Sequence, residues 1–413
     1  MLTRAVFRGL GDSKSPRSAT VLELLFDIVY VFALARLAGR VADDLTIVRQ
    51  TLLSEAGQTV LFFTAMWMIW SLNALLASTY DPRRTELQAV LLATMFGTLV
   101  LAVSLPQAFG QRGVVFACTY VIIQVGRPLF LTLALRGHPG RAFSARVLTW
   151  HLVSGVLWIG GGISGGLGRG IFWTLALTIE MIGAATTWPA LRLGGKRISG
   201  KRLGGQRLGG QRLNITGVTV SQEHLAERYN QFFMIALAEV VLEAGAAVSF
   251  PGFSTEGTIT LVAAFTAAVS FWRIYFYHVG SGQASTSGGE GIRLSRWASY
   301  SLLLIVGGII CTAVGFGQVI EDPHPPIDWA LVAIIFGGPV LFLVGRSFLE
   351  QENRFAPRCR ALYIGALALA VAAIPMVLLP PVAVAASAAV ILVGIAVFDQ
   401  RAHRRGSETN PTL

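Results

Sequence analysis

Apolar residues fall in long runs along this chain, and polar residues collect between them. Neither the two-residue alternation of strands nor the narrow stripe of a surface helix dominates. A bilayer core takes about 20 mostly apolar residues per helix. Twelve runs qualify, near 22–39, 57–79, 87–109, 113–135, 146–163, 170–191, 229–250, 257–280, 297–320, 328–349, 360–379 and 381–398. The pattern predicts an all-α, polytopic transmembrane bundle of about twelve spans. The last two runs are divided only by Pro380 and Pro381, which predicts a tight turn or a re-entrant hairpin. Trp150, Trp173, Trp188, Trp297 and Trp329 lie near proposed span ends, where interfacial anchors are expected.

The spacing of the runs suggests two halves, 1–191 and 229–413, each with six spans. Starts in one half match starts in the other at a roughly constant offset, and repeats with an even number of spans would be parallel. Between the halves lies a basic segment, 192–228, in which GGKRI, SGKRL, GGQRL and GGQRL follow one another. Four such short units cannot build a core. A flexible cytoplasmic linker drawn to anionic lipid head groups is the expectation. Gly160–Gly162 and Gly165–Gly166 are read as close packing and a turn, since no strand precedes them as a phosphate loop requires.

Composition agrees with the pattern. The chain of 413 residues is 54% hydrophobic and only 13% charged, where a soluble domain carries about 25%. The net charge of +11 would suit nucleic acid, but its placement argues against that partner. Lys and Arg concentrate in the N-terminal segment, the even-numbered loops and the C-terminal segment. The odd-numbered loops hold only Arg40, Arg49, Arg112 and Arg169. That asymmetry is the positive-inside signature, and it predicts a multi-pass cell-membrane protein with both termini cytoplasmic. The first apolar run lacks a small-residue cleavage site and reads as a retained anchor. Cys118, Cys311 and Cys359 are far apart and show no metal or redox spacing.

Chemistry is sought where ions enter the membrane. The first run, VLELLFDIVYVFALARLAG, carries Glu23, Asp27 and Arg36. Each Leu, Ile, Val or Phe favours insertion by about 0.3–0.6 kcal/mol, and each central ion opposes it by about 2.5–3.5 kcal/mol. This helix is near break-even and needs partners inside a bundle. Glu23 and Asp27 share a face, continued by Tyr30 and Leu34. Glu180, Glu239 and Glu243 are the other carboxylates within spans, accompanied by Arg127 and Arg273. Helical rise places Glu239 at about 15–16 Å from the cytoplasmic surface, Arg127 and Arg273 at about 10–12 Å, and Glu243 and Arg36 at about 21–22 Å. Glu239 with Arg127 or Arg273, and Glu243 with Arg36, are therefore candidate pairs. Glu239 and Glu243 share a helical face at mid-membrane, which suits cation coordination or a proton relay. The alternative for each acid is a structural ion pair, favoured for Glu23 and Glu180. No HExxH, strand-borne GxSxG or Walker loop occurs, so neither catalytic residues nor a cofactor or metal is assigned.

The segment ELLFDIVYVFALARLA at 23–38 resembles the E-L-F-F-D-L-V-F-V signature of the low temperature requirement A family of bacterial membrane proteins. HLAERYNQFFMIALAEVVLEAG at 224–245 resembles that family's H-x-x-E-R segment ending in G-E, with Ala238 at the usual Gly. STYDPRR at 78–84 and FWRIYF at 271–276 are also similar to family features, whereas the Gly-Lys-Arg linker departs from them. The matched positions are Glu23, Phe26, Asp27, His224, Glu227, Arg228 and Glu239. The resemblance implies a multi-pass cell-membrane protein and no particular reaction. Asp27 within F-D-x-V also resembles the F-S-D signature of a potassium-channel family with two six-helix repeats, without a second counterpart in the seventh span.

These readings converge on a membrane protein that moves a cation, a proton or a small solute. Asp27 and Glu239 are the candidate ion groups, and Arg127 and Arg273 the counter-charges. Two alternatives stay open: a cation channel lined by the first and seventh spans, and a non-transporting structural or sensory protein whose buried ions fix helix packing.

Overall fold

The computed structural model describes residues 20–45, 52–135, 140–189, 212–215, 218–249, 252–276, 298–324, 329–352 and 356–408. Within them are twelve long α-helices: α1 (Val21–Leu45), α2 (Leu52–Thr79), α3 (Thr85–Ser104), α4 (Gly113–Ala134), α5 (Gly140–Ile163), α6 (Gly166–Ala185), α7 (Gln222–Ser249), α8 (Thr255–Phe276), α9 (Ala298–Glu321), α10 (Trp329–Glu352), α11 (Ala356–Met376) and α12 (Pro381–Glu408). Ten are long and apolar enough to cross a membrane. Helix α1 falls outside that set through its charges, as its near break-even insertion anticipates. The apolar part of α11, Ala361–Met376, is shorter. The fold is a polytopic helical bundle.

Local chemistry sets the helix ends. Thr20 and Glu23 form a capping box: the Thr20 amide and hydroxyl donate to Glu23 Oε2 at 2.7 and 2.9 Å, and the Glu23 amide returns a bond to Thr20 Oγ1. Ser221 caps α7, accepting from the His224 amide at 3.4 Å. Helix α7 thus begins well before its apolar stretch. The Ser221 cap closes a short antiparallel hairpin, β1 (Arg212–Ile215) with β2 (Val218–Ser221), in which Leu213 faces Val220. Most of the Gly-Lys-Arg repeat, and Trp297, lie outside the described residues. Pro381 starts α12 at the helix position where its missing N–H costs nothing. The Pro380 carbonyl accepts from Ala383 and Val384, so the double proline is a tight turn.

Two compact units divide the chain, residues 1–36 with 60–228 and residues 37–59 with 229–413. In the first, α4 packs on α3 and α5, and α5 on α6. Gly161 and Gly162 allow the α5 contacts. A Cβ on Gly161 would lie 2.5 Å from the Trp173 ring, and one on Gly162 would lie 2.9 Å from Ala117. Gly166 opens α6 at φ 53°. These glycines mark packing and a turn, as expected.

The tryptophans depart from expectation. Trp173 is wholly buried among Phe62, Phe109, Phe116 and Trp158. Trp150 and Trp188 are buried edge to face, and Trp150 donates to the Pro189 carbonyl. Of the five expected anchors, Trp329 alone is half exposed among the described residues. Position near a helix end did not reveal which face each indole occupies.

In the second unit α9 and α10 cross at backbone distance. A Cβ on Gly308 would sit 2.5 Å from the Gly338 carbonyl oxygen, and one on Gly345 would sit 2.7 Å from that of Ser301. Small residues allow such approach where no hydrophobic force drives helices together. Helix α12 returns to pack on α8.

Arg40, Arg112 and Arg169 of the odd-numbered loops have structural work, and Arg49 lies outside the described residues. Arg169 donates to five backbone carbonyls, those of Gly161, Gly162, Ser164, Ala108 and Gly110. Arg112 bonds the Val103 carbonyl at 2.7 Å, and Arg40 pairs with Glu55 at 2.9 Å. Orphan carbonyls at helix C-termini attract such cations.

Candidate functional site

One face of α1, through Glu23, Phe26, Asp27, Tyr30, Ala33, Leu34 and Leu37, is buried, while Leu24, Leu25, Ile28 and Arg36 are exposed. The recurrence is helical, and it carries both acids inward. The polar first turns of α7 bring His224 and Arg228 to meet them. Arg228 grips Asp27 with two parallel bonds of 2.8 Å, Nη1 to Oδ2 and Nη2 to Oδ1. Its Nε lies 3.8 Å from Glu23 Oε1, and His224 Nε2 lies 3.4 Å from the same oxygen. Two residues of α2 complete the cluster. Trp70 Nε1 donates to Asp27 Oδ1 at 3.2 Å, and Ser78 Oγ lies 3.1 Å from His224 Nδ1. The guanidinium fork matches the carboxylate geometrically, and each charge satisfies the other in a buried place.

A second acid, Glu180 of α6, is held mainly by neutral donors, with His151 Nδ1 3.7 Å from its Oε1. Tyr120 donates to Oε2 at 2.6 Å, and Ser154 and Trp158 donate to Oε1 at 2.7 and 3.0 Å. Gln124 joins Glu180 to Arg127: its Nε2 reaches Glu180 Oε2 at 3.5 Å, while its Oε1 accepts from Arg127. Arg127 also donates to the Ile69 carbonyl at 3.0 Å. An amide therefore stands between two buried opposite charges.

In the second unit, Glu239 of α7 is buried, with 2% of its surface exposed. Its Oε2 makes no hydrogen bond, and among the described residues it has no ion-pair partner. One turn on, the half-buried Glu243 lies against Gly317 of α9, where a Cβ would come within 2.8 Å of its Cγ. Glu243 acts electrostatically on Glu239, and the exposed Glu321, one turn beyond Gly317, acts on Glu243. Carboxylates thus step from buried to half-buried to exposed.

The level-matched pairs expected from helical rise are not what these arginines make. Arg273 bonds Gln400, Arg127 takes backbone carbonyls and Gln124, and Arg36 is exposed. Glu227 is half-buried and makes no ion pair among the described residues. The residues missed as site members are Arg228, His224, Trp70 and Ser78. Their signal lay in the H-x-x-E-R segment and the Ser221 cap, ahead of the hydropathic start at 229. Among the described residues no cluster of three or more His, Cys, Asp or Glu could hold a metal.

Twelve helices among the described residues, ten of them long and apolar enough to cross a membrane, define a polytopic membrane protein. Residues 18–397 match the family described as Bacterial low temperature requirement A protein (LtrA), and the chain belongs to that family. An uncharacterized protein of Rhizobium meliloti (strain 1021), RA0937, is 32% identical over 396 residues, covering 94% of this chain and 90% of its own length. No solved structure matches.

Proposed function

We propose that this protein moves a cation or proton across the cell membrane, with Glu239 as the group that takes it up. The observation that carries this reading is the buried carboxylate of Glu239, which has no partner among the described residues. Glu23, Asp27 and Glu180 are each furnished with cations or several donors. An unpaired buried carboxylate costs several kcal/mol, and a proton or cation arriving at it offsets that cost. Glu243 and Glu321 supply the following steps toward the surface, and Gly317 leaves the room that Glu243 occupies. Intramembrane acids of this kind mark ion paths.

In this account Asp27 is a lock. The two-bond grip of Arg228 favours a structural role for the first cluster over an ion-binding one. Both termini face the cytoplasm, on the strength of the Lys and Arg asymmetry. The Gly-Lys-Arg repeat at 194–213, ahead of α7, meets anionic lipid head groups there.

The test is flux of H⁺, Na⁺ and K⁺ into proteoliposomes, with wild type and Glu239→Gln at equal reconstituted amounts. Flux above empty liposomes that disappears in the folded variant supports the proposal, and saturation with concentration distinguishes a carrier from a channel. No flux of any of the three ions would sink it.

A further inference from the structure

The first unit contains an open-mouthed cleft with about 70 Å³ of enclosed space. Its walls are mainly hydrocarbon, from Leu72, Leu75, Leu76, Leu131, Val147 and Trp188. Two features of the backbone shape it. Pro128 interrupts α4 next to Arg127 and has no N–H to give the Gln124 carbonyl. Thr187 and Trp188 adopt φ of 59° and 52°, which turns the chain after α6 and folds the Trp188 ring onto Gly183. Left-handed backbone is disfavoured for such side chains, so the turn is held by the burial of that indole.

Among the described residues, the polar groups facing this cleft are cationic or neutral, and none is an acid. Arg127 is buried, with no carboxylate in ion-pair range among the described residues. Three of its five N–H groups are taken, by Ile69, Ile123 and Gln124. His151 is 1% exposed, and neither ring nitrogen makes a hydrogen bond among the described residues. Its Nδ1 stands 3.7 Å from Glu180 Oε1, and its ring lies against Trp188. Behind Phe143, another wall residue, the Arg146 guanidinium lies 5.8 Å from the ring centre, with Nε and Nη2 buried and unbonded among the described residues. Glu180 is the acid that faces this group, and its oxygens are occupied by Tyr120, Ser154 and Trp158. Burial pushes the Tyr80 hydroxyl, beside Ser144 in the cleft, up to about 12, so it remains a donor.

We infer that this cleft binds a fatty-acid carboxylate, its head between Arg127 and His151 and its chain along the leucine wall. A guanidinium with spare N–H groups supplies the charge complement, an imidazole without a hydrogen bond among the described residues supplies a further polar contact, and the hydrocarbon walls supply the rest. The site is separate from the Glu239 path and stands or falls without it.

The test is photolabelling of the full-length protein in phosphatidylcholine nanodiscs with a diazirine-bearing hexadecanoate, mapped by peptide mass spectrometry. Label should concentrate on peptides holding Leu72–Tyr80 and Phe143–His151. Hexadecanoate should compete, and its methyl ester on the order of tenfold less well, since the ester lacks the charge. Leu75→Trp, which fills the cleft from a half-buried wall position, should abolish the label. Leu131→Trp serves if the first variant is not monodisperse, and Arg127→Gln should weaken labelling about tenfold. Label spread evenly over lipid-facing helices and indifferent to Leu75→Trp would overturn the site. Equal competition by the methyl ester would overturn the anionic head, and stronger competition by hexadecyl phosphate would overturn the carboxylate.

Discussion

Replacing Asp27 by Asn tests the lock between α1 and α7. In the wild type Arg228 is buried and makes two bonds of 2.8 Å to Asp27. An Asn keeps one accepting oxygen and points an NH₂ at neighbours that are themselves donors, Arg228 and Trp70. The guanidinium is left with Glu23, whose Oε1 lies 3.8 Å from Nε. Removing one partner of a buried pair costs about 3–5 kcal/mol. The residual field of Glu23 places Asp27→Asn toward the lower end, about 3 kcal/mol. Asp27→Leu combined with Arg228→Met removes both charges, and paired apolar replacements of this kind are neutral or stabilising. The coupling energy between the two sites should then exceed about 2 kcal/mol. The assay is unfolding in mixed micelles under SDS titration, read by tryptophan fluorescence. A double variant whose loss is the sum of the single losses would refute the reasoning, as would Asp27→Asn unfolding at the wild-type midpoint.

Three further outcomes follow from the packing. Arg169→Lys replaces a fork that reaches five carbonyls with a point charge, and should cost about 2 kcal/mol or more in the same unfolding assay. Gly308→Ala meets the α10 backbone at 2.5 Å and should cost about 1–3 kcal/mol, whereas Gly245→Ala meets nothing within 4 Å and should be neutral or slightly stabilising. Tyr120→Phe deletes the 2.6 Å bond to the buried Glu180 carboxylate and should lower stability by about 1.5–3 kcal/mol, as measured by the shift in SDS midpoint.

The spans were legible because apolar length is the strongest constraint a bilayer imposes. The start of α7 was not. Gln222, Glu223, His224, Glu227 and Arg228 are polar, and a hydropathy reading assigns them to the linker. The Ser221 cap and the inward face of α1 make them helix. The hydropathy boundary puts Arg228 in the basic segment 192–228, although it completes the Asp27 pair. The acids themselves were found, since each ion in a span stands out. Their partners were not, because depth along a helix says nothing of which helices touch. Arg273 proved to bond a glutamine on α12 and Arg127 a backbone carbonyl on α2. Glu180 is read from the sequence as structural, and in the structure Tyr120, Ser154 and Trp158 of α4 and α5 surround it with donors. No periodicity announces that cage, because Tyr120, Ser154 and Trp158 look like ordinary core residues.

The account turns on two intramembrane acids having different tasks, Asp27 holding the bundle and Glu239 carrying the ion. The most direct measurement is proton and cation flux in proteoliposomes for two variants side by side, the charge-free Asp27→Leu/Arg228→Met pair and Glu239→Gln, each checked for a monodisperse fold. The account predicts that the first conducts like wild type and that the second is folded and silent. Undiminished flux through Glu239→Gln, or its loss in a well-folded Asp27→Leu/Arg228→Met protein, would contradict it.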